Sequence, residues 1–193
     1  YDAEPSSATA TNEITLGDAN VDTLRMGNGV EIVSSGALVG GGTNTPTFAV
    51  RLSANQTGLA DNVPTTVEFD TVEIDTDSAF NTSTYTFTVP TGKGGIYMLI
   101  ANCHFVHAGQ INFNDTTIVK NGTGIRTVRF NSRSGDFEDE GSEIITTIET
   151  LAAGDAITIK ANANSGDGTT TTLNGGATAD VPTTFFRGFR LIT

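Results

Sequence analysis

The sequence predicts an all-β sandwich or barrel, and three observations carry that prediction. First, Tyr85–Val89 alternates Tyr, Phe and Val with Thr, the period-two pattern of a half-buried strand. Second, segments of this kind recur at even spacing, with Gly, Pro, Asn and Asp turn residues between them. Third, Thr, Asn and Gly are abundant, charged residues make up only 17 %, and the Glu/Lys/Leu/Ala blocks that build helices are missing.

Taken in order, Tyr1–Ala10 is small and polar and reads as a mobile or an attachment segment. Asn12–Val33 carries short apolar marks (Ile14, Leu16, Val21, Leu24, Met26, Val30, Ile32) between Gly-Asp and Gly-Asn-Gly turns. So short a stretch buries no core alone; it reads either as tiny strands wrapped threefold around an axis or as a loosely ordered leader. Ser34–Pro46, with GGGTNTP, is a linker by composition. The expected division is thus a stalk segment (1–33), a Gly-rich linker (34–46) and a head (47–193).

Eight main strands are expected in the head: Thr47–Ala54, Thr84–Val89, Gly95–Val106, Ile111–Val119, Ile125–Asn131, Glu143–Leu151, Ala156–Asn162 and Thr184–Ile192, with a short piece at Thr66–Ile74. Gly95–Val106 departs from simple alternation. Its odd positions (Tyr97, Leu99, Ala101, Cys103, Phe105) are all apolar, and its even positions begin apolar too (Ile96, Met98, Ile100). A strand apolar on both faces needs two covers, one a sandwich core and the other, most simply, a subunit contact.

The formal net charge is −12, a surface that repels nucleic acid and anionic lipid. No stretch is long and apolar enough to span a membrane. The one cysteine, Cys103, reads as a small buried hydrophobe. The start at Tyr1, without methionine, predicts a processed product or one piece of a longer polypeptide.

Five phrases then occur in a telling order: FDTVEIDTDSAFN, TFTVPTGKGGIYMLIA, IVKNG, LAAGDAITIKA and TFFRGFRLI. Thr47–Thr193 resembles the globular head of complement component one-q and the wider tumour-necrosis-factor-like superfamily. That resemblance implies a ten-stranded jelly-roll sandwich assembled as a threefold homotrimer, which would give the second face of Gly95–Val106 its cover. The interface expected on these grounds comprises Tyr97, Met98, Leu99, Ile100, Phe186 and Phe189. Upstream, ITLGDANVDTLRMGNGVEI (about 12–32) resembles shaft segments of bacteriophage tail fibres. Together the two imply a stalk, a neck and a knob, joined to an upstream virion or fibre polypeptide.

Strand parity puts both termini and the turns Pro90–Gly94, Lys120–Gly124 and Ala152–Asp155 at one end, the base. The long connections, Asn131–Ser142 and Ala163–Thr183, fall at the far end, where a knob would meet its partner. The receptor-binding residues expected there are His107, Gln110, Arg133, Asp136, Phe137, Glu138, Asp139, Asp167 and Asn174. Asp136, Glu138 and Asp139, with Glu140 and Glu143 close by, suit recognition, a calcium site of carboxylate oxygens, or a solvated acidic loop. Calcium is the one cofactor in question. His104 and His107 differ by an odd number, which sets them on opposite faces and argues against a shared zinc.

No Ser/His/carboxylate pattern, phosphate-cradling loop or placed carboxylate pair points to catalysis. The function expected is host-surface adhesion by a trimeric phage fibre or spike on the virion surface, its receptor a cell-surface glycan or protein. The alternatives are a structural capsid or tail decoration, or a secreted, extracellular complement-head-like adhesin or pattern-recognition module. A glycan-cleaving enzyme is the reading least supported.

Overall fold

Segments that alternate apolar residues with Thr or Asn bury one side and hydrate the other, and they fold as strands. The computed structural model describes residues 33–34, 37–38, 44–107, 109, 111–132, 140–176 and 183–191, and all the regular structure among them is β. The chain divides into two compact units, Tyr1–Gly41 and Gly42–Thr193. In the first, β1 (Val33–Ser34) pairs antiparallel with β2 (Ala37–Leu38). The pair lies at the start of the stretch read from sequence as linker.

The second unit contains β3 (Thr47–Arg51), β4 (Gln56–Leu59), β5 (Thr65–Thr66), β6 (Thr71–Asp75), β7 (Phe80–Asn81), β8 (Thr86–Thr88), β9 (Gly95–Val106), β10 (Ile111–Lys120), β11 (Thr123–Asn131), β12 (Glu140–Leu151), β13 (Ala156–Ser165), β14 (Thr171–Leu173) and β15 (Phe185–Arg190). The eight strands expected from sequence are β3, β8, β9, β10, β11, β12, β13 and β15. The short β4, β5, β7 and β14 carry too few residues to show a period.

Two antiparallel sheets result. The larger runs β4-β14-β9-β15-β3-β6, with β12 along the other side of β9; the smaller runs β11-β10-β13-β8-β7, with β5 beside β13. β9 and β12 pair over their full length, from Val106 opposite Glu140 to Gly95 opposite Leu151. β9 also receives β15 and, at its end, β14, so it is the central strand of its sheet.

The core lies between the sheets. β9 supplies Tyr97, Leu99, Ala101, Cys103 and Phe105; β13 supplies Ile157, Ile159, Ala161 and Ala163. Phe48 stacks on Phe87 at 4.2 Å and meets Phe186 edge-on at 4.8 Å. Such pairs add about 0.5–1.5 kcal/mol each beyond their burial. Gly188 lets β15 cross this cluster, because a Cβ there would lie 2.7 Å from Phe48 Cε1 and 2.9 Å from Leu99 Cδ2.

Candidate functional site

The base turns are bound to one another. Val89 N donates to Asp155 O at 2.9 Å, Gly154 N to Val89 O at 2.8 Å, and Asn121 N to Ala156 O at 2.9 Å. Lys120 Nζ lies 2.7 Å from Asp155 Oδ2, and its hydrogen bond holds that carboxyl down at about 2. Short, mutually bonded turns leave little to adapt to a ligand.

The opposite end gathers different material. Asn174 N donates to His104 O at 2.8 Å, and a Cβ on Gly109 would lie 2.6 Å from Asp167 Oδ2, so the connections after β9, β13 and β14 meet there. Ser132 N donates to Asn112 O, and Glu140 pairs with Val106, which anchors both flanks of residues 133–139 at the same end. Asp167 is exposed, and its Oδ1 accepts from the Thr169 hydroxyl and amide, which hold the carboxyl below its ordinary range. Asn174 Oδ1 accepts from Gly176 N, and its carbonyl accepts from the Thr183 hydroxyl. Both residues shape their loops. Gln110, Arg133, Asp136, Phe137, Glu138 and Asp139, and with them the calcium set, lie outside the described residues. Among the described residues no group of three or more His, Cys, Asp and Glu is placed to hold a metal.

His107 corrects the expected receptor set. It is only 7 % exposed, with its ring parallel to that of Phe105 and Nδ1 3.1 Å from the Thr171 hydroxyl. The reason is β14, which was not read from sequence: it pairs with the end of β9 and covers the position. Glu143 is a second correction. Grouped with the acidic loop by sequence, it lies on the inner face of β12 and is 4 % exposed. Burial pushes its carboxyl up to about 7. Glu143, His107, Asn114, Thr116 and Cys103 form a polar end to the core, with Glu143 Oε2, His107 Nε2, Thr116 Oγ1 and both amide atoms of Asn114 lacking well-formed hydrogen bonds. His104 points the other way, its Nε2 3.3 Å from Glu140 Oε2.

The outer face of the large sheet is the most apolar surface described. The register aligns Ile148 of β12, Met98 of β9 and Phe189 of β15 in one row across three strands. Ile144 and Ile148 are 60 % and 61 % exposed, and Ile96 of β9 is exposed as well. Arg187 stands on this face opposite Ile100 and pairs with Glu73 at 3.6 Å, and Arg51 pairs with the same carboxylate at 3.2 Å. Half of the expected interface set belongs elsewhere: Tyr97, Leu99 and Phe186 are fully buried within their own chain. Met98, Ile100 and Phe189 remain on the outer face and are partly exposed. Ile144 and Ile148, in phase along β12, are the residues of this face that sequence reading missed.

No family model matches the chain, and no curated protein matches it. Solved structures do. The globular domain of zebrafish complement 1qA protein aligns at a TM-score of 0.48 and 19 % identity, over 77 % of this chain and 98 % of that one. Eiger TNF from S. frugiperda aligns at 0.53 and 12 %, over 76 % and 94 %. Murine APRIL aligns at 0.51 and 16 %, over 75 % and 99 %. At these identities the likeness is one of fold alone: the head is a jelly roll of the kind seen in Eiger TNF and murine APRIL.

Proposed function

We propose that the chain is the knob-bearing part of a homotrimeric phage fibre or spike that attaches the virion to a receptor on the host surface. The observation that carries the trimer is the row Ile148–Met98–Phe189, with exposed Ile144 further along β12, on a molecule of net charge −12. An exposed apolar row of this kind marks an interaction surface. Three copies closing around an axis would cover it with one self-consistent contact. The fibre half of the reading rests on the phrase ITLGDANVDTLRMGNGVEI and on the jelly-roll fold of the unit that follows it.

In such a trimer the end carrying Asp167, Asn174 and the flanks of 133–139 is presented three times. Three identical weak contacts raise avidity without any single strong site. The role is adhesion rather than chemistry, and its place is the virion surface.

Adsorption tests this directly. Labelled full-length chain is incubated with a panel of bacterial strains, alongside a variant lacking residues 135–140. Saturable binding by the parent, lost in a variant of unchanged mass and melting temperature, is the expected result. Undiminished adsorption by the variant would remove that segment as the receptor contact, and no saturable adsorption to any strain would count against the attachment role.

A further inference from the structure

The outer face of the small sheet holds a half-open groove of about 170 Å³, room for a single small ring rather than a larger ligand. Its floor is a ladder of polar residues from two strands. Asp115 of β10 stands opposite Asn162 of β13, and Thr117 opposite Lys160. One wall is opened by Gly122 and Gly124, which carry no side chain over Thr117; the other is Pro64, next to β5. A bulge between Ile118 and Val119 shifts β11 against β10 at this point.

The electrostatics of the groove are lopsided. Both oxygens of Asp115 are taken by Arg129, whose Nε and Nη2 lie 2.6 Å away, and that guanidinium packs 4.0 Å from the centre of the Phe113 ring. The pair cancels itself. Lys160 is half-buried, and among the described residues its ammonium has no ion-pair or hydrogen-bond partner. Asn162 Oδ1 is buried and equally unpartnered. Lys160 thus gives the groove a positive charge that no neighbouring carboxylate among the described residues takes up, with the Asn162 side chain beside it.

From this geometry we infer a second binding site, for a carboxylated sugar of the hexuronic acid type. The ligand carboxylate pairs with Lys160, the Thr117 hydroxyl and the Asn162 side-chain amide supply further polar contacts, and the C–H face of the ring lies against Pro64 and Val119. A sugar fits better than an acidic peptide because the groove offers donors and acceptors within one ring's breadth and a single positive charge. This site lies on another face from the far-end loops and depends neither on them nor on trimer formation.

Titration of the full-length chain, followed by ligand-observed NMR, tests the assignment with two probes: a glucuronate-containing disaccharide, and the same disaccharide with glucose in place of glucuronate. The uronate is expected to bind saturably, and the neutral sugar about tenfold more weakly or worse, the loss expected for a charged hydrogen bond. Lys160→Met is expected to reduce the uronate to the neutral level without moving the melting temperature. If that variant melts early, Gly124→Val serves instead, since its first side-chain carbon would press on Thr117 Cγ2 at 3.2 Å and narrow the groove. Equal affinity for the two sugars, binding unaffected by either variant, or no binding of either probe would overturn the assignment. Lys160→Met also separates this site from the receptor reading, because removal of residues 135–140 would leave uronate binding intact.

Discussion

The two sheets share one core and turn opposite characters outward. Beyond its core side, the large sheet shows Ile144, Ile148, Met98 and Phe189; the small sheet shows Asp115, Thr117, Lys160 and Asn162. Strand chemistry accounts for the inner sides of both, because period-two burial is all that a sandwich requires of them. It does not account for the difference outside. An outer face that hydrates well, like the small sheet's, needs no second cover. One that exposes isoleucine at 60 % does, and in the proposed trimer the subunit contact belongs on the large sheet, with the small sheet left to the proposed ligand.

The largest expected effect breaks this comparison outright. Met98→Glu combined with Ile148→Glu makes the large sheet's outer face as polar as the small sheet's. A trimer would then bury several unpaired carboxylates, each costing several kcal/mol. The variant is expected to run as a folded monomer, with sedimentation and circular dichroism as the readouts. An intact assembly would mean that the contact lies elsewhere.

A smaller effect tests the shared core. Gly188→Ala places a methyl group against Phe48 and Leu99. Overpacking of this kind costs about 1–3 kcal/mol, and β15 has little room to shift because β3 and β9 flank it. The melting temperature should fall while assembly persists. Unchanged melting would show that the core yields here, and with it the row that β15 carries on its other side.

The smallest effect is titration of the polar end of the core. Glu143 has its carboxyl raised from 4.5 to about 7, chiefly by burial, with Asn114 opposing and Asp115 adding to the rise. As pH climbs, the unfolded chain ionises first, so this group's contribution to stability declines between about pH 4.5 and about pH 7. His107 works the other way. Burial lowers its pKa below 6.5, so its contribution is full above 6.5 and declines as pH falls. Glu143→Gln is expected to flatten the loss of melting temperature between pH 5 and pH 7.5. A slope identical to the parent's would place the titrating group elsewhere.

Much of the fold is legible in the residues because long strands state their period. Ala156–Asn162 alternates without interruption, and β13 runs through it to Ser165. What alternation cannot say is which side of a strand apolar on both sides faces inward. Tyr97 and Leu99 are as apolar as Met98 and Ile100, so sequence reading joined both sets in one interface, and only the packing of β9 against the small sheet separates them. His107 was misplaced for a related reason: the strand that covers it, β14, is three residues long and sits in a run of Thr and Gly with no period of its own. The groove was invisible because Lys160 and Asn162 look like any polar half of a strand. Their interest comes from Asp115 and Arg129 cancelling each other on β10 and β11, which depends on register.

Light scattering on the purified parent chain decides whether the large sheet's outer face is a subunit contact. A single species at three times the mass of one chain is expected, stable to dilution and to moderate salt as an apolar contact should be. A stable monomer at micromolar concentration, with Ile144 and Ile148 left open to water, would contradict it.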